Sequence, residues 1–205
     1  MAPRTARARP ALFLMVGWVA LLWVLEGVDT LSGNALDAFG IRPREAGGLL
    51  DVLPAAFLHF GFGHLAANSL PLLVLGFLAA LRSGIRRFLA AALLIIVVSG
   101  LGVWLTAAPG SITLGASGVV FGLFAFLLVR GFVERKPLDI GIGLIVGLLY
   151  GSILWGALPT TSGISWQCHL FGLAGGVLAA FILRERGRGP GRDGAAAGGV
   201  VRPVP

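Results

Sequence analysis

Six apolar runs, with arginine-bearing segments alternating with uncharged loops over the last five, constrain this chain more than any other feature. They fall at about residues 11–28, 64–81, 88–105, 115–130, 138–158 and 166–183. About 20 apolar residues in a helix cross the hydrocarbon core of a bilayer. Within that core only helices and closed barrels satisfy their own backbone groups. Composition agrees. A soluble domain is about a quarter charged, whereas this chain of 205 residues is 57% hydrophobic and 12% charged, with a mean hydropathy of +0.92. So little charge cannot cover a globular surface in water. The expected fold class is therefore all-α, a polytopic membrane protein whose six-helix bundle occupies residues 11–183. A short polar segment, 1–10, is expected before it. A disordered tail rich in Gly, Ala, Pro and Arg, 184–205, is expected after it.

The charges give an orientation. With six spans, Arg82, Arg86 and Arg87, then Arg130, Arg135 and Lys136, then Arg184, Arg186 and Arg188 share one side with the N-terminal arginines. Only Arg42 and Arg44 fall opposite, beside acidic neighbours. The positive-inside rule then predicts a cell-membrane protein with both termini cytoplasmic. The connection 29–62, interrupted by Pro43 and Pro54, is expected outside as a partly interfacial loop with short amphipathic helices. The loops 106–114 and 159–165 are expected on the same outer side. A basic start followed by an apolar run also fits a signal peptide, but this run is long for one and five more follow. The net charge of +7 resides in topology clusters, so nucleic acid is not an expected partner; the lipid bilayer is. Glu26 and the tryptophans are expected at the membrane interfaces. A single cysteine, Cys168, excludes an intramolecular disulfide, and three histidines without a carboxylate or thiolate cluster make a poor metal site. No cofactor is expected.

Against this apolar background a few polar side chains stand out. Ser117 lies in Gly115-Ala116-Ser117-Gly118, where the uncharged loop 106–114 enters the fourth span. His169, Gly172 and Gly176 are three and four residues apart and share one face of the sixth span. Gly118 and Gly122 form a similar pair in the fourth, and Gly143, Gly147 and Gly151 a stripe in the fifth. Small residues at this spacing let helix backbones approach closely. If spans four and six pack together, Ser117 comes within hydrogen-bond reach of an imidazole that can take its proton. His64 and Asn68, four apart on span two, face one direction at a similar depth. They and the Ser117 backbone N–H are donors suited to an oxyanion. His59 lies in the loop just before them. A lone serine in a membrane helix often only bonds back to a carbonyl; the combination of these residues argues against that reading here.

These residues resemble the rhomboid intramembrane serine proteases. The resemblance spans about residues 41–183 and rests on three segments. They are His59-Phe60-Gly61-Phe62-Gly63-His64-Leu65-Ala66-Ala67-Asn68, Gly115 to Gly118, and His169-Leu170-Phe171-Gly172-Leu173-Ala174-Gly175-Gly176. Their order, on spans two, four and six, is more specific than any one alone. The resemblance implies a six-helix rhomboid-like bundle, with Ser117 as nucleophile and His169 as general base in a dyad without a carboxylate. It implies an oxyanion hole of His64, Asn68 and the Ser117 N–H, with His59, Gly115, Gly118, Phe121 and Gly172 in support. It also implies membrane-anchored protein substrates, cut in or near their transmembrane segments. Three positions depart from the common pattern. Phe121 stands where a tyrosine is frequent, Cys168 where alanine is, and Ile41-Arg42-Pro43-Arg44 where the first outer loop often carries Trp-Arg. A catalytically inactive rhomboid-like protein that binds or escorts membrane clients is the alternative. Retention of both dyad residues speaks against it. A small transporter would place charges or broken helices at the bilayer midplane, and the sequence shows neither. Substrate identity and oligomeric state are not legible at this level.

Overall fold

The computed structural model of the protein describes residues 4–159 and 163–185. Residues 1–3, 160–162 of the last outer loop, and 186–205, with Arg186, Arg188 and the expected disordered tail, lie outside the described residues. Eight α-helices follow in order: α1 (Arg4–Leu31), α2 (Ala46–Leu50), α3 (Val52–Ala55), α4 (Phe62–Ser83), α5 (Ile85–Thr106), α6 (Ser117–Glu134), α7 (Pro137–Tyr150) and α8 (Trp166–Ile182). Two 3-10 segments, Ala35–Phe39 and Gly151–Ala157, lie among them. The described residues contain no strand, only an isolated antiparallel bridge between Ile41 and Thr113. The fold is a helical membrane bundle.

Among the described residues, α1, α4, α5 and α6, and α7 taken together with the 3-10 segment that continues it to Ala157, are long and apolar enough to cross a membrane. α8 has 17 residues, about 25 Å at about 1.5 Å per residue, and is the short sixth member. α1 starts earlier than the apolar run, because arginine is a good helix former and Pro10 forgoes only one backbone bond near the helix start. The fifth run divides: α7 stops at Tyr150 and a 3-10 segment carries the chain on to Ala157. α4 and α5 are joined through Gly84 alone, at φ +81°, a conformation that costs glycine little. Side chains such as Phe13, Leu144, Leu148 and Trp155 are more than half exposed. Their surroundings in a membrane are lipid, not water.

At the end of the bundle where α1 begins and α8 ends, the arginines do more than mark orientation. The Arg82 Nε lies 2.6 Å from Asp139 Oδ1, and Arg130 is only 1% exposed. Arg130 donates to Ser83 Oγ at 2.5 Å and to Glu134 Oε2 at 3.0 Å. Arg87 bonds Glu185 at 2.8 Å, and Lys136 bonds both Glu134 and Glu185. Charges this poor in water persist only when paired, and the pairs tie α4, α5, α6, α7 and the end of α8 together. Glu185, outside the spans, is held below the usual carboxylate range chiefly by its bond to Lys136.

Glu26 is buried within the bundle, 3% exposed, as is Asp29. Both turn inward because the backbone there needs acceptors. Asp29 Oδ1 takes the Leu36 N–H at 2.6 Å, and the Glu26 carboxylate faces the Gly61 N–H that opens α4. A carboxylate at a helix N-terminus is favourable for the same dipolar reason as an N-cap.

Candidate active site

The site forms at the other end of the bundle, where the connection 29–61 braces the loop before α6. Ile41 and Thr113 exchange both backbone hydrogen bonds, at 2.8 and 3.1 Å. The Gly115 N–H bonds Ala55 O at 2.8 Å. The Ala116 N–H donates to His59 Nε2 at 3.2 Å. Arg44 reaches across to the Leu105 and Ala107 carbonyls at 3.0 and 2.9 Å, capping α5. Arg42 and Arg44 are thus structural: Arg44 caps a helix end, and Arg42 bonds Asp51 at 3.0 Å. This is what the Ile41–Arg44 segment contributes. The loop is fixed on both flanks before the chain reaches Ser117.

α6 begins at Ser117 itself, so the Ser117 N–H is among those without an intrahelical partner and lies at the positive end of the helix. α8 is capped by Ser165, whose Oγ accepts the Cys168 N–H at 3.3 Å. The two helices meet through glycine. A methyl group at Gly172 would overlap the Gly118 carbonyl, and one at Gly176 would overlap the Gly122 carbonyl. This close approach brings Ser117 Oγ and His169 Nε2 to 2.9 Å. The other imidazole nitrogen, Nδ1, lies 2.8 Å from the Gly156 carbonyl oxygen. A carbonyl only accepts, so Nδ1 carries the proton and Nε2 presents a lone pair to the serine hydroxyl. The Phe121 ring stacks on His169 with centroids 4.0 Å apart and planes 9° from parallel. His169 is 7% exposed.

His64 and Asn68 share one cavity of about 690 Å³ with Ser117, Phe121 and His169. The Asn68 amide gives one hydrogen to the His64 carbonyl at 3.0 Å and keeps a second. Gly115, at φ +135°, admits the His64 ring: a Cβ there would stand 2.7 Å from His64 Cε1. His59 packs edge-on against His64, with ring centroids 5.2 Å apart. Of the candidate site residues, His64, Asn68, Ser117, Phe121 and His169 line the cavity, while His59 and Gly115 pack on His64 and Gly172 packs on Gly118. Cys168 does not join them as a nucleophile. Its Sγ lies 3.2 Å from Ser99 Oγ on α5, away from the base, as expected of neighbours separated by about 100° on a helix. Sequence reasoning missed Gly156, Ala116 and Ala55. Each acts through its backbone, which leaves no residue-type signal.

His59 lies outside the spans. Burial, aided by the neighbouring His64, pushes its pKa down to about 4 from 6.5. The neutral ring is what the Ala116 N–H requires as acceptor. A depressed histidine binds its proton more readily in the unfolded chain, so its contribution to stability is complete above about pH 6.5. That contribution is lost as the pH falls through the window toward 4. The thermal midpoint in detergent should fall across that window. The fall should be shallower in His59→Gln, whose amide oxygen accepts without titrating. Equal slopes in both proteins would remove His59 as the cause.

The structure is thus an α-helical membrane bundle with a serine hydroxyl bonded to a buried imidazole, facing a cavity lined by further donors. Comparison with known proteins gives the family. The family model described as Rhomboid domain matches residues 46–186, well over half of the chain, and the chain belongs to the rhomboid family. "Uncharacterized protein Rv1337" of Mycobacterium tuberculosis is 47% identical over 192 residues, covering 88% of this chain and 80% of its own. "Putative rhomboid protease YdcA" of Bacillus subtilis is 27% identical, covering 88% of this chain and 92% of its own. "Rhomboid protease GluP" of the same organism is 30% identical over 83% of this chain but only 34% of its own. The protein is thus a multi-pass membrane protein of a family of intramembrane serine proteases.

Proposed function

We propose that this protein is an intramembrane serine endopeptidase that cleaves membrane-anchored proteins in or near their transmembrane segments. The observation that carries this reading is the 2.9 Å contact between Ser117 Oγ and His169 Nε2, with the imidazole already oriented from its far side. In the reaction Ser117 Oγ attacks the scissile carbonyl carbon as its proton passes to His169 Nε2. Negative charge then develops on the carbonyl oxygen. The Ser117 N–H, the free amide hydrogen of Asn68 and the His64 imidazole are the donors proposed for it. The tetrahedral intermediate collapses, the C–N bond breaks, and His169 returns the proton to the leaving amine. Water, activated by the same base, then hydrolyses the acyl-enzyme. The cavity gives water its route to the serine, and the small residues about Ser117 leave room for an unwound peptide.

In this reading the basic end of the bundle, with both termini, faces the cytoplasm of a cell-membrane protein, and the site opens to the outer side. A fluorophosphonate probe applied to membranes tests it without knowledge of the substrate. The wild-type protein should be labelled and Ser117→Ala should not. Absence of labelling in the wild type would favour a rhomboid-like protein that binds membrane clients without cutting them.

A further inference from the structure

A serine–histidine pair without a carboxylate leaves open what fixes the base. An imidazole has two tautomers, and only the one protonated at Nδ1 can accept the serine proton at Nε2. In carboxylate-containing triads an aspartate imposes that choice. Here the atom facing Nδ1 is the Gly156 carbonyl oxygen, at 2.8 Å. The carbonyl belongs to the 3-10 segment Gly151–Ala157 at the end of α7. We infer that the Gly156 carbonyl is the orienting member of the site, and that α7 thereby holds the catalytic base in its working tautomer. This inference rests on the reading of Ser117 and His169 given above.

Three observations carry it. First, the position admits little beyond a bare backbone. A Cβ at Gly156 would stand 3.0 Å from Phe121 Cζ and 3.2 Å from His169 Nδ1. The glycine is therefore in contact with both the base and the ring stacked on it. Second, among the described residues the imidazole's other specific contacts are stacking on Phe121 and the bond to Ser117. Stacking fixes the plane of the ring but does not distinguish its two nitrogens. Third, α7 is the least buried of the long spans: 17% of its apolar window is inside the protein, against 67% for α6. Its ion pair and its closest backbone approach are at the opposite end. There Asp139 pairs with Arg82, and a methyl at Gly143 would stand 2.9 Å from the Leu127 carbonyl of α6. At the end near the base, the 3-10 segment packs on α8 and Ile153 joins the core, so the position of the Gly156 carbonyl is set by that packing together with the course of α7. Gly156 is a positioning residue acting through its carbonyl, and it touches no substrate.

Gly156→Ala crowds that contact. The matched control is Gly151→Ala in the same 3-10 segment, where an added Cβ meets nothing within 4 Å. Fluorophosphonate labelling of Ser117 should slow at least about tenfold in Gly156→Ala and stay at the wild-type rate in Gly151→Ala. The 15N spectrum of His169 reads the bond itself and does not depend on activity. It should show the Nδ1-protonated tautomer in wild type and in Ser117→Ala, and a mixture in Gly156→Ala. A purely structural role for Gly156 would lower thermal stability without changing the tautomer. Wild-type labelling in Gly156→Ala, or an Nε2-protonated imidazole in the wild-type protein, would overturn the inference. An Nδ1-protonated imidazole in a wild-type protein that the probe never labels would instead overturn the protease reading on which it rests.

Discussion

Replacing His169 with alanine should reduce cleavage of a transmembrane reporter by at least about 10⁴-fold, since losing the base of a serine nucleophile generally costs this much or more. A serine hydroxyl is a weak nucleophile until a base removes its proton as the bond forms. Among the described residues, the His169 Nε2 is the nitrogen bonded to Ser117 Oγ, at 2.9 Å. His64 lines the same cavity, against Gly115. In the proposed mechanism it donates toward the oxyanion, and His169 receives the serine proton. His169→Ala also removes the stacking partner of Phe121 and leaves the Gly156 carbonyl without its donor. Some loss of stability follows, on the order of 1–3 kcal/mol for a buried acceptor left unpaired. The assay therefore belongs well below the thermal midpoint, with the variant's accumulation in membranes measured in parallel. Cleavage above one-hundredth of the wild-type rate by a folded His169→Ala protein would be incompatible with His169 as the base.

How far the sequence discloses this arrangement differs from residue to residue. The spans were legible because apolar runs and arginine clusters report directly on a solvent with two phases. Alternation of the spans then put Ser117, His169 and His64 at one depth. Lateral packing was legible only in part. Gly118, Gly122, Gly172 and Gly176 suggested that the fourth and sixth spans touch, and these are the glycines that meet across α6 and α8. Gly151, at the end of the expected stripe in the fifth span, meets nothing, because the helix has by then given way to a 3-10 turn. The ion pairs of the basic clusters are less legible. A charged residue near a membrane boundary has two ways to satisfy itself, solvent or a partner, and Arg82 and Arg130 find Asp139 and Ser83 on other helices. The brace formed by Ile41, Ala55 and His59 on the Ser117 loop is mostly backbone to backbone, and nothing in residue identity announces such contacts.

Gly172→Ala should lower activity by about 10²-fold, although it adds one carbon atom and touches neither Ser117 nor His169. The new Cβ would overlap the Gly118 carbonyl oxygen and stand 3.1 Å from both the Gly118 carbonyl carbon and Cα. These are backbone atoms of α6. No rotamer change relieves the overlap, so the two helices must move apart. Gly118 follows Ser117 directly, and Gly172 lies one turn beyond His169 on the same face. The separation thus passes almost undiminished into the Oγ–Nε2 distance. A misplacement of about 1 Å in a catalytic constellation can cost about 10²-fold in rate, and the overpacking itself destabilises by about 1–3 kcal/mol. Gly141→Ala provides the contrast. It lies in α7, where an added Cβ meets nothing within 4 Å, and alanine is the better helix former by about 0.5–1 kcal/mol. That variant should retain activity and melt no lower than the wild type. The two substitutions make the same chemical change in the same kind of helix, so a difference between them isolates the α6–α8 approach. Equal cleavage rates in Gly172→Ala and wild type would mean that the dyad does not depend on this glycine contact.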